Sequence, residues 1–254
     1  MTDASLTDMV RGCPLLEDVQ FSEIELTNTL LPTLGACCPL LKRVFLRSVS
    51  FSDDDMTALC QGCPGLLSLR LPKCQDIGAA MVTIASHCKK LQELMLTDNE
   101  KITDQSLCAL FASCTDLRSV YLGRLMQLTS SSVLALLHNC PLLQSLSLDC
   151  EYSLIHCKLN SCTDKSEIAE LIRSKAITYE TLDHIPICCK GLKVLHLSHC
   201  HFICEGGVWA LIDECKGLAE LTVKYCQQAK PSPECKEKIK EIGKRYRGLE
   251  VEWD

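Results

Sequence analysis

Apolar residues recur along this chain in a fixed pattern that begins, in each copy, at a cysteine. An aliphatic residue or a phenylalanine follows that cysteine at the third, sixth and eighth positions, as Leu91, Leu94 and Leu96 follow Cys88. Successive copies are 25 or 26 residues apart, except for one gap of 49 residues. Such a regular period indicates an internal structural repeat. The cysteines that begin the eight copies are Cys13, Cys38, Cys63, Cys88, Cys114, Cys140, Cys189 and Cys215.

Each copy predicts a short strand followed by a helix. The last two apolar residues of the pattern alternate with other residues, which is typical of a strand with one buried face. After a turn, apolar residues fall at helical spacing, as Leu107, Leu110 and Phe111 do. Thr103 or Asp104 can cap that helix by accepting bonds from its first backbone N–H groups. One such unit cannot bury its apolar side alone, so the copies must stack side by side into an α/β solenoid with parallel strands.

The repeat consensus resembles a known class. Written as C-x-x-L-x-x-L-x-L-x-x-C/N-x-x-I-T-D, it is similar to the cysteine-containing subclass of leucine-rich repeats, which is typical of F-box/leucine-rich-repeat proteins. Those proteins are the substrate receptors of SCF-type ubiquitin ligases. The resemblance covers nearly the whole chain and implies one domain over residues 1–254, folded as a right-handed horseshoe of parallel strands and helices with about nine repeats. The C/N position holds Cys74, Asn99, Cys200 and Cys226, with Val49 and Leu125 as departures.

Three stretches depart from the regular repeat. The 49-residue gap holds one repeat and an insertion, which we place at residues 150–176 and interpret either as a solvated loop or as part of a binding face. Residues 227–254 combine prolines, a charged helical stretch and a final strand, which is typical of a C-terminal cap. The segment that starts at Thr2 aligns with the one that starts at Thr103, so the chain begins in mid-repeat. We expect either further protein upstream of Met1 or a partner over this end of the core.

Composition narrows the class of protein. Apolar residues make up 47% and charged residues 23%, which is ordinary globular usage and argues against disorder. A net charge of −6 argues against a nucleic-acid partner. Because the chain lacks both a signal peptide and a run of roughly 18 apolar residues, we expect no membrane association and a cytoplasmic or nuclear location. The 20 cysteines are then predicted to be reduced thiols of the core.

The motifs of common enzymes are missing from the sequence. It carries no nucleophile elbow, phosphate-binding loop or dinucleotide fingerprint, and burial suppresses the reactivity of core thiols. We therefore predict no enzymatic activity, no catalytic residue and no cofactor. A thiol or metal enzyme that uses the cysteine-rich insertion is a third hypothesis.

Three clusters of potential metal ligands have simpler interpretations. The run His196–Cys204 is rich in ligands but lacks a second pair at a defined spacing, and free thiols are the simpler interpretation of His156 and Cys157 with Cys162. Asp53–Asp55 falls at a helix start, where carboxylates complement the helix dipole. We therefore predict no metal site.

A protein-binding surface is predicted on the outward, concave side of the strands. Residues between the core positions point away from the core, and those of neighbouring strands, about 4.8 Å apart, form rows across the sheet. Aromatic residues, methionine and arginine share one such row here, and these residue types are enriched at interface centres. Arginines suit a partner with acidic or phosphorylated groups; coverage of the row by side chains of the next repeat is the alternative. The predicted surface, named here the sheet-face patch, consists of Arg43, Phe45, Arg47, Arg70, Met95 and Tyr121.

The resemblance implies a protein–protein interaction module. In that role the chain provides the substrate-recognition repeats of an SCF-type E3 ubiquitin ligase receptor, and it holds a target protein for ubiquitin-dependent degradation. No segment resembles an F-box, the helical element that docks the Skp adaptor. The Skp adaptor and a cullin are therefore expected as partners only through an F-box upstream of Met1. The alternative is a stand-alone leucine-rich-repeat scaffold or adaptor outside the ubiquitin system.

Overall fold

Successive strands of this chain lie side by side in one parallel sheet. The computed structural model describes residues 3–23, 29–74, 77–151, 177–226, 232–234, 237 and 250–253. Within these ranges the sheet holds nine strands in the order of the sequence, each parallel to the next. This arrangement is consistent with a repeat solenoid and confirms the predicted α/β class. The strands are β1 Asp18–Ser22, β2 Arg43–Arg47, β3 Ser68–Pro72, β4 Glu93–Thr97, β5 Ser119–Gly123, β6 Ser145–Asp149, β7 Val194–Ser198, β8 Glu220–Lys224 and β9 Glu250–Trp253.

A helical segment precedes each strand from β1 to β8. Most of these segments are single helices of eight to ten residues, but the one before β7 is divided into two short helices. The helices are α1 Asp3–Arg11, α2 Leu30–Cys37, α3 Asp53–Gly62, α4 Ala80–His87, α5 Asp104–Ser113, α6 Ser130–Asn139, α7 Tyr179–Leu182, α8 His184–Cys188 and α9 Glu205–Glu214.

Equivalent residues of successive repeats are neighbours in the sheet. Leu94 pairs with Leu69 on one side and with Val120 on the other, and all three side chains are buried. Their neighbours along each strand point to the opposite face, as the alternation of the sequence predicts. Val49 and Leu125, which depart from the repeat consensus, are each 1% exposed and extend the same core. The repeats therefore share one continuous apolar layer between sheet and helices.

A repeat cysteine is the C-cap of seven of the described helices, and several of these cysteines contact the preceding repeat. Cys63 is the C-cap of α3, and its backbone N–H donates to the Leu59 carbonyl oxygen at 2.9 Å. Its thiol donates to the carbonyl oxygen of Cys38 at 3.4 Å, and the Cys38 thiol reaches that of Cys13 at the same distance. A small apolar side chain with a weak donor suits a buried position that faces a carbonyl group. Equivalent thiol contacts are made by Cys114, Cys140 and Cys189.

Polar side chains cap the starts of α3, α5 and α6. The Ser52 hydroxyl accepts a bond from the Asp55 N–H at 3.2 Å, and the Asp55 carboxylate accepts one from the Ser52 N–H at 2.8 Å. These reciprocal bonds form a capping box and confirm that Asp53–Asp55 serves as a helix start. Before α5, the cap is Thr103, whose hydroxyl accepts from the Ser106 N–H at 3.2 Å.

The sheet is continuous across the 49-residue gap. Leu146 of β6 pairs with Leu195 of β7, so the insertion leaves the two strands adjacent. Most of the predicted insertion, residues 152–176, lies outside the described residues. So does most of the predicted cap at 227–254, although β9 pairs with β8 as expected of a final strand.

The C/N position of the consensus supplies a donor to the preceding strand. Asn99 is 1% exposed, and its Nδ2 donates to the Leu71 carbonyl oxygen at 2.8 Å. One repeat earlier, the Cys74 thiol donates to the equivalent carbonyl oxygen, that of Leu46, at 3.1 Å. Asn99 also accepts a bond from the Cys74 N–H at 2.9 Å. A buried carbonyl group that needs a donor therefore explains why this position alternates between cysteine and asparagine.

The substitution Asn99→Ala is expected to destabilise the fold because it leaves the Cys74 N–H and the Leu71 carbonyl buried without these partners. We expect the free energy of unfolding to fall by about 2–4 kcal/mol, measured by urea denaturation. Glu100→Ala, one residue away and exposed, is the control and should change it by less than about 0.5 kcal/mol. Equal effects of the two substitutions would contradict this role of Asn99.

Candidate functional site

Four members of the sheet-face patch form a row across β2 to β5. Phe45 pairs with Arg70, Arg70 with Met95, and Met95 with Tyr121. All four side chains are half-buried, so part of each remains accessible on the face away from the core. The predicted contiguity of these residues is confirmed, whereas their role in binding stays a prediction.

Arg70 is held in place from two sides. The carbon of its guanidinium group lies 5.7 Å from the centre of the Phe45 ring, within the range of a cation–π contact. Its Nε lies 3.4 Å from Oε1 of Glu93. Oε2 of the same carboxylate accepts a bond from the Ser68 hydroxyl at 2.6 Å. The guanidinium is therefore oriented by an aromatic ring and by a carboxylate that is itself fixed.

The Tyr121 ring lies beside Gly123 at the end of the row. A Cβ atom at Gly123 would lie 3.1 Å from the Tyr121 ring, so the absence of a side chain at Gly123 makes room for the ring. Burial raises the pKa of the Tyr121 hydroxyl, and the charge of Asp149 adds to that rise. Tyr121 therefore presents a neutral hydroxyl and part of its ring to any partner.

The remaining arginines of the patch are also paired with carboxylates. Nε of Arg43 lies 2.7 Å from Oδ2 of Asp18, and Nη2 of Arg47 lies 3.8 Å from Oε1 of Glu23. Exposed pairs of this kind add little to stability because solvent screens them, yet they lower the net positive charge of the surface. An acidic or phosphorylated partner group would therefore compete with carboxylates of the chain itself.

Sequence reasoning missed a second row, at the ends of the strands. Seven residues that directly follow a strand adopt left-handed backbone conformations with φ between 52° and 58°. Each lies ten residues after a repeat cysteine, a fixed position from which the row could have been found. Six donate their backbone N–H to the last residue of the next strand, which extends the ladder of the sheet. This strand-end row consists of Glu23, Ser48, Lys73, Asp98, Arg124, His199 and Tyr225.

Charged residues of the strand-end row connect through Asp149. Nη2 of Arg124 lies 3.2 Å from Oδ2 of Asp98, and its Nε lies 3.9 Å from Oδ2 of Asp149. The Asp149 Oδ1 atom lies 3.1 Å from Nδ1 of His199, whose ring stacks on Tyr225 with 4.8 Å between centroids. This half-buried network forms a polar border beside Tyr121. In addition to burial, the charges of Asp149 and Asp98 raise the pKa of the Tyr121 hydroxyl, and the charge of Arg124 lowers it.

The structure separates the residues of the His196–Cys204 run. Nε2 of His196 lies 2.9 Å from Oε1 of Glu220, while Cys200 is buried with its sulfur 3.5 Å from that of Cys150. His156, Cys157 and Cys162 lie outside the described residues. Among the described residues, two other groups have metal-compatible geometry: His138 with His184 and Cys188, and Asp149 with Glu151 and His199.

Burial makes the repeat thiols weak acids. It raises the pKa of Cys63 to about 11 and of Cys114 and Cys140 to about 12. A thiol with such a pKa is a poor nucleophile near neutral pH because very little of it is ionised. These cysteines are therefore suited to packing.

No helix in the described ranges is long and apolar enough to cross a membrane.

Comparison with known proteins gives partial similarities. No family model matches the chain. The F-box protein FBX14 of Arabidopsis thaliana is 34% identical over 70 residues, which cover 27% of this chain and 11% of that protein. The match thus spans about a tenth of the relative. Among solved structures, the yeast complex of Rad7 and Elc1 is similar with a TM-score of 0.42 and 14% identity, covering 99% of this chain and 83% of that one. A TM-score of 0.42 is too low to assign a common fold.

Differential alkylation tests the burial of the thiols. At pH 9, a thiol with a pKa of about 12, such as Cys114, is ionised in about one molecule in a thousand. Brief treatment with iodoacetamide should therefore label the exposed Cys13 and spare Cys63, Cys114 and Cys140, as quantified by peptide mass spectrometry. All four should react in urea. A repeat cysteine that reacts as fast as Cys13 in the folded protein would favour the hypothesis of a thiol enzyme.

Proposed function

We propose that this chain is a protein-recognition module that binds a target protein on the exposed face of its sheet. The observation that carries this proposal is the row of half-exposed Phe45, Arg70, Met95 and Tyr121 on four adjacent strands. Aromatic residues, methionine and arginine are enriched where interfaces bury most of their area. A rigid sheet presents them without a large loss of conformational entropy on binding.

The ion pairs of the patch favour a particular kind of target. Arg43, Arg47 and Arg70 each have a carboxylate neighbour, so the surface offers little uncompensated positive charge. Phe45 and Tyr121 instead provide apolar area at both ends of the row. A target segment with apolar or aromatic side chains and a polar border therefore fits this surface better than a densely phosphorylated one.

We further propose that the chain forms the substrate-recognition repeats of an SCF-type ubiquitin ligase receptor. In this proposal it is a right-handed horseshoe with the sheet on its concave side. The repeat consensus and the partial match to an F-box protein support this role. The chain would hold the target and catalyse no reaction itself, and attachment to a Skp adaptor and a cullin would require an F-box in addition to the repeats.

Affinity purification from cells that produce the chain tests target binding. The double substitution Phe45→Ala and Tyr121→Ala removes both aromatic rings of the patch. We expect it to weaken binding of a captured target by at least about tenfold, because truncation of interface aromatics commonly costs more than 1 kcal/mol each. The matched control is Leu15→Ala with Leu142→Ala, which truncates two exposed apolar residues outside the patch and should leave the affinity unchanged. If the wild type, the double substitution and the control captured the same proteins equally, the proposed binding role of the sheet-face patch would be wrong.

The lifetime of the captured target then separates the two functional classes. Depletion of the chain should lengthen the half-life of a target whose binding depends on the patch, and inhibition of the proteasome should abolish the difference. If binding depends on the patch but the half-life does not depend on the chain, the stand-alone scaffold is the better description.

A further inference from the structure

Two histidines and a cysteine converge where α6 meets α8. Nε2 of His138 lies 3.2 Å from Nδ1 of His184, and these atoms and the sulfur of Cys188 all lie within 4.8 Å of one another. His184 and Cys188 are the first and last residues of α8 and, at a spacing of four, lie on one face of that helix. His138 comes from the last turn of α6. This group, the His–Cys cluster, is separate from the sheet-face patch.

We propose that the His–Cys cluster binds a zinc ion through His138, His184 and Cys188. Imidazole nitrogen and thiolate sulfur are the ligands that zinc prefers. Two nitrogen ligands of a tetrahedral zinc ion lie about 3.3 Å apart, given zinc–nitrogen bonds of about 2.0–2.1 Å. The 3.2 Å between the two imidazole nitrogens agrees with that value. Three protein ligands leave a fourth position for water or another donor.

The other metal-compatible group is a weaker candidate. Asp149 is already engaged by the guanidinium of Arg124 at 3.9 Å and by His199 at 3.1 Å. A cation at Asp149, Glu151 and His199 would lie next to the positive charge of Arg124. In the His–Cys cluster, the distance between the two imidazole nitrogens also fits a hydrogen bond, in which the N–H of one ring donates to the nitrogen of the other.

The site lies where the repeat is least regular. The segment before β7 has helices of four and five residues in place of one longer helix, and the insertion separates it from β6. A metal ion shared by α6 and α8 would join this shortened segment to the preceding repeat. Zinc would then stabilise the region that the insertion interrupts, in addition to the packing of Ile185 in the core.

Cobalt substitution tests the proposal on the full chain. Purified protein freed of metal with a chelator should bind one Co²⁺ ion per chain. The complex should show thiolate-to-cobalt charge-transfer absorption, and Zn²⁺ should displace the cobalt. Cys188→Ser should abolish the charge-transfer band, and His138→Asn should weaken Co²⁺ binding by at least about tenfold. Zn²⁺ should also raise the melting temperature of the wild type but not that of His138→Asn.

Cys37→Ser is the matched control. Cys37 is half-buried and ends α2 directly before its C-cap cysteine, just as Cys188 ends α8 before Cys189. This variant should keep the cobalt spectrum and the affinity. Circular dichroism verifies that each variant is folded, and His138 is exposed enough for its substitution to be tolerated.

Three outcomes would overturn the proposal. One is the absence of Co²⁺ and Zn²⁺ binding at micromolar concentration by the wild type. Another is an unchanged spectrum and affinity in both Cys188→Ser and His138→Asn. The third is loss of binding only in a chain that carries His156→Ala, Cys157→Ser and Cys162→Ser, which would assign the metal to that segment instead.

Discussion

The shared register of the parallel sheet is the constraint on which the rest of this structure depends. Each strand pairs with the strand one repeat away, so residues 25 or 26 apart in sequence become neighbours. A repeat of different length shifts every later side chain unless the extra residues leave the sheet. The gap before β7 meets this condition, because Leu146 and Leu195 still pair across 49 residues. Core, thiol contacts and exposed row all follow from that register.

The core and the order of the strands could be predicted because they depend on a local pattern repeated eight times. The spacing of Cys88, Leu91, Leu94 and Leu96 contains both the turn and the buried face of a strand. Stacking places equivalent residues of successive repeats side by side, so the pattern of one repeat is enough to predict the order of the strands. What the pattern could not predict was the reason for the cysteine itself. Its thiol reaches a carbonyl oxygen of the preceding repeat, and that contact exists only after the repeats have stacked.

The position of the candidate site could be predicted from the sequence, but the carboxylates that neutralise its arginines could not. Alternation along each strand was enough to place Phe45, Met95 and Tyr121 in one row. The carboxylates that neutralise the arginines come from the preceding strand or from the next, as for Arg43 with Asp18 and for Arg70 with Glu93. The cluster on α6 and α8 was missed for a similar reason, since its histidines are 46 residues apart. A contact between two repeats cannot be recognised from the sequence pattern of one repeat alone.

The strand-end row has a consequence for how such a chain can change over time. Its residues hold left-handed conformations that glycine adopts most easily, yet none of the seven is glycine. Each of these residues therefore carries a conformational cost of about 1 kcal/mol. Because these side chains extend from a hydrogen-bonded edge and not from the core, exchanging one alters the border of the sheet face while the framework stays intact. The fold thus separates a buried framework from an edge whose side chains can be exchanged with little effect on the core.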